Sequence, residues 1–114
     1  MALKIASKEV GGVTVLALSG QIVLGEGSVQ LRDSIRGLIG KGTKQILLDM
    51  GHVDYIDSSG LGELVSAFTT AKNQQANVKL LRLTRKVHDL LQLTKLYTVF
   101  DIYDDDASAL ASFK

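Results

Sequence analysis

The residues of this chain best suited to chemistry stand together in the segment DSSGLG at residues 57–62, directly after an apolar run. Asp57 predicts a helix N-cap, because a short carboxylate accepts hydrogen bonds from the N–H groups that a first helical turn leaves free. Ser58 and Ser59 would lie in that turn, where the helix dipole favours negative charge. A phosphate there would leave the domain folded. Asp57 would repel it, however, and a partner surface fitted to a neutral hydroxyl would lose binding.

On spacing alone, the same segment has a simpler interpretation. Asp57 can be an ordinary cap, since such caps open many helices, and Gly60 and Gly62 can merely allow close packing against a sheet. A serine hydrolase is disfavoured, because no Gly precedes either serine by two residues. His88 also precedes Asp101, which fails the Ser, Asp, His order of a nucleophile-elbow enzyme.

Acidic groups elsewhere do not predict a metal site. Asp54 and Asp57 stand three residues apart, and residues 104–106 form an Asp triplet, but neither group has the spacing of a calcium loop. The triplet is better interpreted as favourable charge at a helix start. We therefore expect no catalytic residue, no metal and no cofactor in this chain.

Composition limits the classes of protein that remain. The chain has 114 residues, 13 Lys plus Arg, 12 Asp plus Glu and no Cys. One domain is expected over residues 1–114, and a net charge of +1 without a run of like charges disfavours a nucleic-acid partner. Without Cys there is no disulfide, thiol nucleophile or Cys-based zinc site. No window approaches about 18 apolar residues and no signal segment is visible, so we expect no membrane insertion and a cytoplasmic location.

Changes of hydrophobic period predict the elements that position the segment. The Gly11-Gly12 pair between two β-prone runs predicts a hairpin. Residues 21–27 are expected to be a loop, and Ser28 the N-cap of a helix that stops at Gly40 or Gly42. Further strands are expected at 46–50, as the centre of the sheet, at 78–83 and at 99–103. Helices are expected after Asp57, after Thr84 with a buried stripe of Val87, Leu90, Leu91 and Thr94, and from 104–106 to near Phe113.

The order ββαβαβαβα predicts an α/β domain, with packed helices on a mixed, mostly parallel sheet behind an antiparallel first strand.

Several stretches in this order resemble one known family, the STAS domains, and in particular the stand-alone bacterial anti-anti-sigma factors, also called anti-sigma factor antagonists. The resemblance covers nearly the whole chain. It rests on residues 57–62 and on three later patterns: Val87-x-x-Leu90-Leu91-x-Leu93-Thr94-x-Leu96, then Phe100-x-Ile102, then Ala109-Leu110.

The resemblance implies a phosphorylation switch rather than an enzyme. In such proteins the serine after the motif's aspartate, here Ser58, is phosphorylated by an anti-sigma factor that is itself an ATP-dependent serine kinase. The unphosphorylated form binds that kinase and frees a sigma factor for transcription, and a dedicated phosphatase restores it. Asp57 would orient the hydroxyl, Gly60 would support the site, and Ser59 would be the alternative acceptor. ATP belongs to the partner.

Two positions depart from the family pattern. The family usually carries Gly-Glu-Leu-Asp or a close relative after the second strand, whereas this chain reads Gly20-Gln21-Ile22-Val23, with Val23 in place of the acidic residue. Lys95 stands where relatives often have Gly, so we expect no left-handed helix end there. The residues expected at the partner contact are Gln21, Val23, Leu24, Gly25 and Glu26 in the loop and Gly62 and Glu63 on the helix.

Alternatives remain for both the loop and the function. Leu24 is either an exposed apolar anchor for a partner or, with Val23, part of the core. The missing acidic residue favours an alternative function, in which the chain is a structural or adaptor subunit of a stressosome-like or lipid-transport complex that phosphorylation does not control.

Overall fold

A computed structural model describes residues 3–113, so Met1, Ala2 and Lys114 of the expected domain lie outside the described part. The described elements follow the expected order ββαβαβαβα. They are β1 (Lys4–Val10), β2 (Val13–Ile22), α1 (Glu26–Gly40), β3 (Gln45–Ile56), α2 (Ser58–Asn73), β4 (Asn77–Leu81), α3 (Arg85–Leu93), β5 (Ile102–Tyr103) and α4 (Asp106–Ala111).

The strands form one mixed sheet in the order β1-β2-β3-β4-β5, with β3 at its centre as expected. β1 pairs antiparallel with β2, and every other neighbouring pair is parallel. The β1-β2 hairpin turns at Gly11 and Gly12, whose φ angles are +57° and +84°. Two consecutive positive φ angles are the requirement of a type I′ turn, which Gly meets without steric cost.

The two faces of the sheet bury different side chains because successive residues of a strand point to opposite sides. Leu48 and Leu80 belong to the larger core, where α1, α2 and α3 pack through apolar stripes such as Leu31 and Ile35 of α1. On the other face, α4 covers a smaller cluster formed by Val13, Val15, Leu47, Leu81 and Ala109. The sheet is thus a central layer with helices on both sides.

The start of α1 differs from the prediction. β2 continues to Ile22, and α1 begins at Glu26 after Gly25, whose φ of +97° suits only Gly well. Ser28 is therefore not the N-cap but a buried residue inside the first turn. Its hydroxyl turns back to donate to the Val23 carbonyl, so the helix and the end of β2 are bonded together there.

Three strand boundaries were also predicted wrongly. β3 runs to Ile56 rather than residue 50, because it still pairs with β2 at residues 52, 53, 55 and 56. The register is shifted there, and the polar types of His52 and Asp54 do not indicate a strand in the sequence. β4 ends at Leu81 rather than residue 83, where Arg82 takes a φ of +54°. β5 has two residues instead of five, since only Ile102 and Tyr103 pair with β4.

The end of α3 contradicts the expectation for Lys95. This residue has a φ of +62°, the left-handed conformation that Gly usually supplies. The Leu96 N–H donates to the Leu91 carbonyl over 2.9 Å, and the Lys95 N–H donates to the Gln92 carbonyl over 3.1 Å. These two bonds form a Schellman motif. They give hydrogen-bond partners to carbonyls that the end of the helix would otherwise leave free, despite the strain at Lys95.

The Lys95→Gly variant should be more stable than the wild type by about 1 kcal/mol, because Gly removes the left-handed strain. Urea unfolding followed by circular dichroism measures the change. Lys41→Gly is the matched control, since Lys41 is an exposed lysine at a helix end with a φ of −83°. It should give no gain, and equal gains in both variants would contradict the explanation.

The junction of α2 with β2 depends on Gly60. A Cβ at this position would lie 2.1 Å from the Ile22 carbonyl oxygen and 2.8 Å from its Cγ2, well inside contact distance. The first turn of α2 therefore rests directly on the backbone of β2. Gly62, two residues further along α2, has no atom within 4 Å of an added Cβ.

Gly60→Ala should lower the free energy of unfolding by at least about 2 kcal/mol, because backbone cannot move aside as a flexible side chain can. Gly62→Ala should instead raise it by about 0.5–1 kcal/mol, since Ala is the better helix former where space is open. Thermal and urea unfolding of both variants provide the comparison. Similar effects of the two substitutions would show that the close contact with Ile22 does not determine which residue can stand at position 60.

Candidate functional site

The segment at residues 57–62 starts α2 at the carboxyl end of β3, next to the end of β2. Asp57 has extended backbone angles and its Oδ1 accepts a hydrogen bond from the Gly60 N–H over 2.8 Å. The prediction of an Asp57 N-cap is therefore confirmed. Ser58 and Ser59 are the first two residues of the helix, as expected, and lie where its N–H groups and dipole favour an anion.

Asp57 also binds a second element. Its Oδ2 accepts from the Leu24 N–H over 2.9 Å, and its own N–H donates to the Ile22 carbonyl over 3.3 Å. The carboxylate therefore joins α2 to the loop at residues 23–25, the β2–α1 loop. The hydrogen bonds from Leu24 and Gly60, in that order, hold the pKa of Asp57 below its ordinary value of 3.8.

The two serines have different surroundings. The Ser59 hydroxyl lies 3.3 Å from the buried Ser28 hydroxyl, which donates its own proton to the Val23 carbonyl over 2.8 Å. Ser59 is therefore the donor to Ser28, because each hydroxyl carries a single proton. Ser58 is exposed, and its hydroxyl makes no hydrogen bond within residues 3–113. The Asp57 carboxylate contacts N–H groups rather than this hydroxyl.

The residues expected at a partner contact differ in exposure. Leu24 is 78% exposed, which rules out the alternative in which it packs in the core, and Gly25, Glu26 and Gly62 are exposed as well. Gln21 and Val23 are half-buried. Glu63 is also half-buried, and it borders a narrow groove between α1 and α2 together with Arg32.

A cleft of about 620 Å³ beside Ser58 was not predicted from the sequence. It lies between the start of α2 and α3, and the exposed side chains of Tyr55 and Leu93 border it. Its lining residues are Tyr55, Ile56, Asp57, Ser58, Leu61, Lys86, Asp89, Leu90, Leu93 and Thr94.

The prediction of a buried stripe of four residues along α3 was only partly right, which is why the cleft was missed. Val87 and Leu91 are buried as expected, whereas Leu90 is half-buried and Thr94 is exposed. Leu93, which is 81% exposed, falls outside the stripe. An apolar residue on the polar side of an amphipathic helix was the available signal for the cleft.

The other candidate residues take up structural positions. The His88 ring packs edge-on against Tyr97 with 4.9 Å between ring centres, and Asp105 caps α4 through the Ser108 N–H. Among residues 3–113, no group of three or more His, Cys, Asp or Glu side chains is arranged to hold a metal ion. In the same part of the chain, no helix combines the length and apolarity needed to cross a membrane.

The Leu24 and Gly60 amide resonances should titrate together, with one midpoint below pH 3.8, because both N–H groups donate to the same carboxylate. A folded-state pKa below the unfolded value means that ionised Asp57 stabilises the fold fully above pH 3.8. That contribution is lost as the pH falls through the folded-state pKa. The stability difference between wild type and Asp57→Asn should therefore shrink in acid, and amide midpoints above 3.8 would contradict the two bonds.

Known proteins that are similar to this chain indicate its family. The model of the STAS domain family matches residues 4–109. BtrV of Bordetella bronchiseptica, named as a candidate anti-sigma factor antagonist, is 24% identical over 112 residues, which are 98% of this chain and 96% of BtrV. The anti-sigma F factor antagonist of Paenibacillus polymyxa is 23% identical over 114 residues, which are 100% of this chain and 97% of that protein.

Solved structures share the fold. The anti-sigma factor antagonist SpoIIAA in its unphosphorylated form superposes with a TM-score of 0.81 at 18% identity, covering 96% of each chain. The phosphorylated form of SpoIIAA from Bacillus gives 0.76 at 18% identity, covering 97% of this chain and 100% of that one. Because the family model spans most of the sequence and the observed topology agrees with these structures, the chain belongs to the STAS domain family.

Proposed function

We propose that this protein is an anti-sigma factor antagonist whose binding to its partner is switched off by a phosphate on Ser58. One observation carries the proposal: Ser58 presents an exposed, unbonded hydroxyl at the start of α2, while the neighbouring Ser59 hydroxyl is bonded to Ser28. The names of the two relatives support an anti-sigma factor as the partner. The chain then acts by binding and not as an enzyme.

The kinase must supply most of the phosphorylation chemistry. In the transfer, a bond forms between Ser58 Oγ and the γ-phosphorus of ATP, the bond to the ADP leaving group breaks, and the hydroxyl proton passes to a base. Both oxygens of Asp57 already accept from N–H groups. We therefore assign the base, ATP and its metal ion to the kinase, with Ser58 as substrate and Asp57 as the residue that holds the start of α2 and the β2–α1 loop.

A phosphate on Ser58 would change the binding surface more than the fold. It adds a charge of about −1.5 to −2 next to the Asp57 carboxylate, on a chain whose net charge is +1. The start of α2 tolerates that charge, since its N–H groups and dipole favour an anion. A partner that had bound the neutral hydroxyl would instead have to desolvate a dianion, which opposes association. A phosphatase that removes the phosphate resets the switch.

The departure at Val23 is compatible with this function. The Val23 carbonyl accepts from both the N–H and the hydroxyl of Ser28, over 3.0 and 2.8 Å, so this residue anchors the loop through its backbone. Leu24 and Glu26, which are exposed, are left to supply the side-chain contacts of the loop. We infer that the partner recognises the apolar side chain of Leu24, next to the position at which the family usually carries an acidic residue.

Incubation with ATP and the anti-sigma kinases of the source organism tests the proposal by mass spectrometry of the intact protein. Wild type should gain one phosphate, Ser58→Ala none, and Ser59→Ala one at a near-normal rate, because Ser59 is bonded inside the site. Ser59→Ala serves as the matched control for removal of one hydroxyl from the same turn.

Binding completes the test. Ser58→Glu should weaken the complex with the kinase at least about tenfold, through charge at the contact, while Ser7→Glu on the exposed strand β1 should leave it unchanged. If no kinase modifies Ser58 and Ser58→Glu binds its partner as tightly as wild type, the switch is wrong. Copurification with a large assembly that is indifferent to Ser58→Glu would then favour the adaptor function.

A further inference from the structure

The β2–α1 loop is fixed at its centre by one hydrogen bond to another element. The Leu24 N–H donates to Asp57 Oδ2 over 2.9 Å, while the Leu24 side chain is 78% exposed and gains little from packing. On either side, the Val23 carbonyl accepts from Ser28 and the Gly25 carbonyl accepts from the Val29 N–H over 3.1 Å. Those bonds position the ends of the loop, so the placement of Leu24 depends on the Asp57 carboxylate.

A phosphate on Ser58 would compete directly with that carboxylate. The Cα atoms of Asp57 and Ser58 are about 3.8 Å apart, as in any trans peptide, so the two anions would be neighbours. Both would seek the free N–H groups at the start of α2. The bond from Gly60 is favoured by the helix dipole behind it, whereas Leu24 lies on a loop without such a dipole. Repulsion should therefore break the bond to Leu24 first.

We propose that Asp57 couples phosphorylation of Ser58 to the conformation of the β2–α1 loop. With Ser58 unmodified, the carboxylate holds Leu24 in its exposed position, ready for a partner. With Ser58 phosphorylated, the carboxylate releases the Leu24 N–H and the loop loses that position. The inference rests on the proposed function, because it takes Ser58 as the phosphorylated residue. It adds a second way in which phosphate weakens binding, through disorder of an apolar contact as well as through charge.

Amide exchange with solvent, measured by NMR, tests the coupling without a kinase. The protein is made with phosphoserine incorporated at position 58 during translation. Exchange of the Leu24 amide should accelerate about tenfold, as expected for loss of a hydrogen bond to a charged acceptor, while that of Gly60 stays within about twofold. Phosphoserine at position 7, on exposed β1, adds the same charge elsewhere and should leave both amides unchanged.

Asp57→Asn separates the two bonds of the carboxylate. Asn caps helices about as well as Asp, so the bond from Gly60 is retained, but its side chain has one acceptor oxygen and leaves the Leu24 N–H without one. The Leu24 amide should then exchange about tenfold faster without phosphate, and phosphoserine at 58 should add little more. Asp105→Asn is the control, because Asp105 caps α4 and contacts only Ser108. It should not affect Leu24.

The outcomes distinguish this inference from the function on which it rests. Unchanged or slower exchange at Leu24 in the protein with phosphoserine at 58 overturns the coupling, even if kinases modify Ser58 normally. Additive acceleration by Asp57→Asn and phosphoserine also overturns it, since the phosphate would then act by another route. Accelerated exchange in a protein that no kinase phosphorylates would support the coupling and count against the proposed function.

Discussion

The contact of Gly60 with the backbone of Ile22 is the constraint on which the candidate site depends. The two elements approach so closely that no side chain fits between them, since an added Cβ would lie 2.1 Å from the Ile22 carbonyl oxygen. This approach brings the Asp57 carboxylate within 2.9 Å of the Leu24 N–H and the Ser59 hydroxyl within 3.3 Å of Ser28. A longer distance between α2 and β2 would leave each of these groups facing water. The glycine therefore positions the site without touching a ligand.

A second consequence is the distinction between two adjacent serines. They share a helical turn and the same dipole, so neither helix propensity nor local charge separates them. Tertiary packing distinguishes them, because Ser59 faces α1 and its hydroxyl contacts that of Ser28, whereas Ser58 faces solvent beside the cleft. A kinase can engage Ser58 without breaking an internal hydrogen bond. Modification of Ser59 would leave the buried Ser28 hydroxyl without that partner, which opposes the reaction.

Much of this arrangement could be predicted from the sequence, and the remainder has identifiable physical causes. The element order, the Gly11-Gly12 turn, the central strand and the Asp57 cap follow from local chemistry and period, and the structure confirms them. The start of α1 could not be predicted in this way. Ser28 has the residue type of a cap, but its hydroxyl donates to the Val23 carbonyl, a contact that is visible only in the folded chain. Likewise, the polar types of His52 and Asp54 indicate a loop, whereas β3 continues past them and pairs with β2 in a shifted register.

Hydrogen bonds donated by backbone N–H groups account for two further features that the sequence did not predict. Lys95 takes the conformation expected of Gly because the Leu96 N–H bonds back to Leu91, and that gain outweighs a strain of about 1 kcal/mol. The bond between the Leu24 N–H and Asp57 joins residues 33 positions apart, so no local pattern could indicate it. The resemblance to a family indicated Ser58 as the acceptor, and the contact that distinguishes it from Ser59 in the proposed function is tertiary.

The same geometry is compatible with the proposed control of binding by a modification that leaves the domain folded. Ile56, just before α2, and Leu61, in its first turns, are buried, and a phosphate on the exposed Ser58 would leave them so. The added charge would lie in solvent, where its hydration is retained, so the fold would lose little stability. Association with a partner would remove that hydration, so the phosphate would raise the free energy of the complex rather than that of the folded chain. A phosphate on an exposed serine immediately outside the buried core would thus act on recognition and on the neighbouring loop rather than on the core.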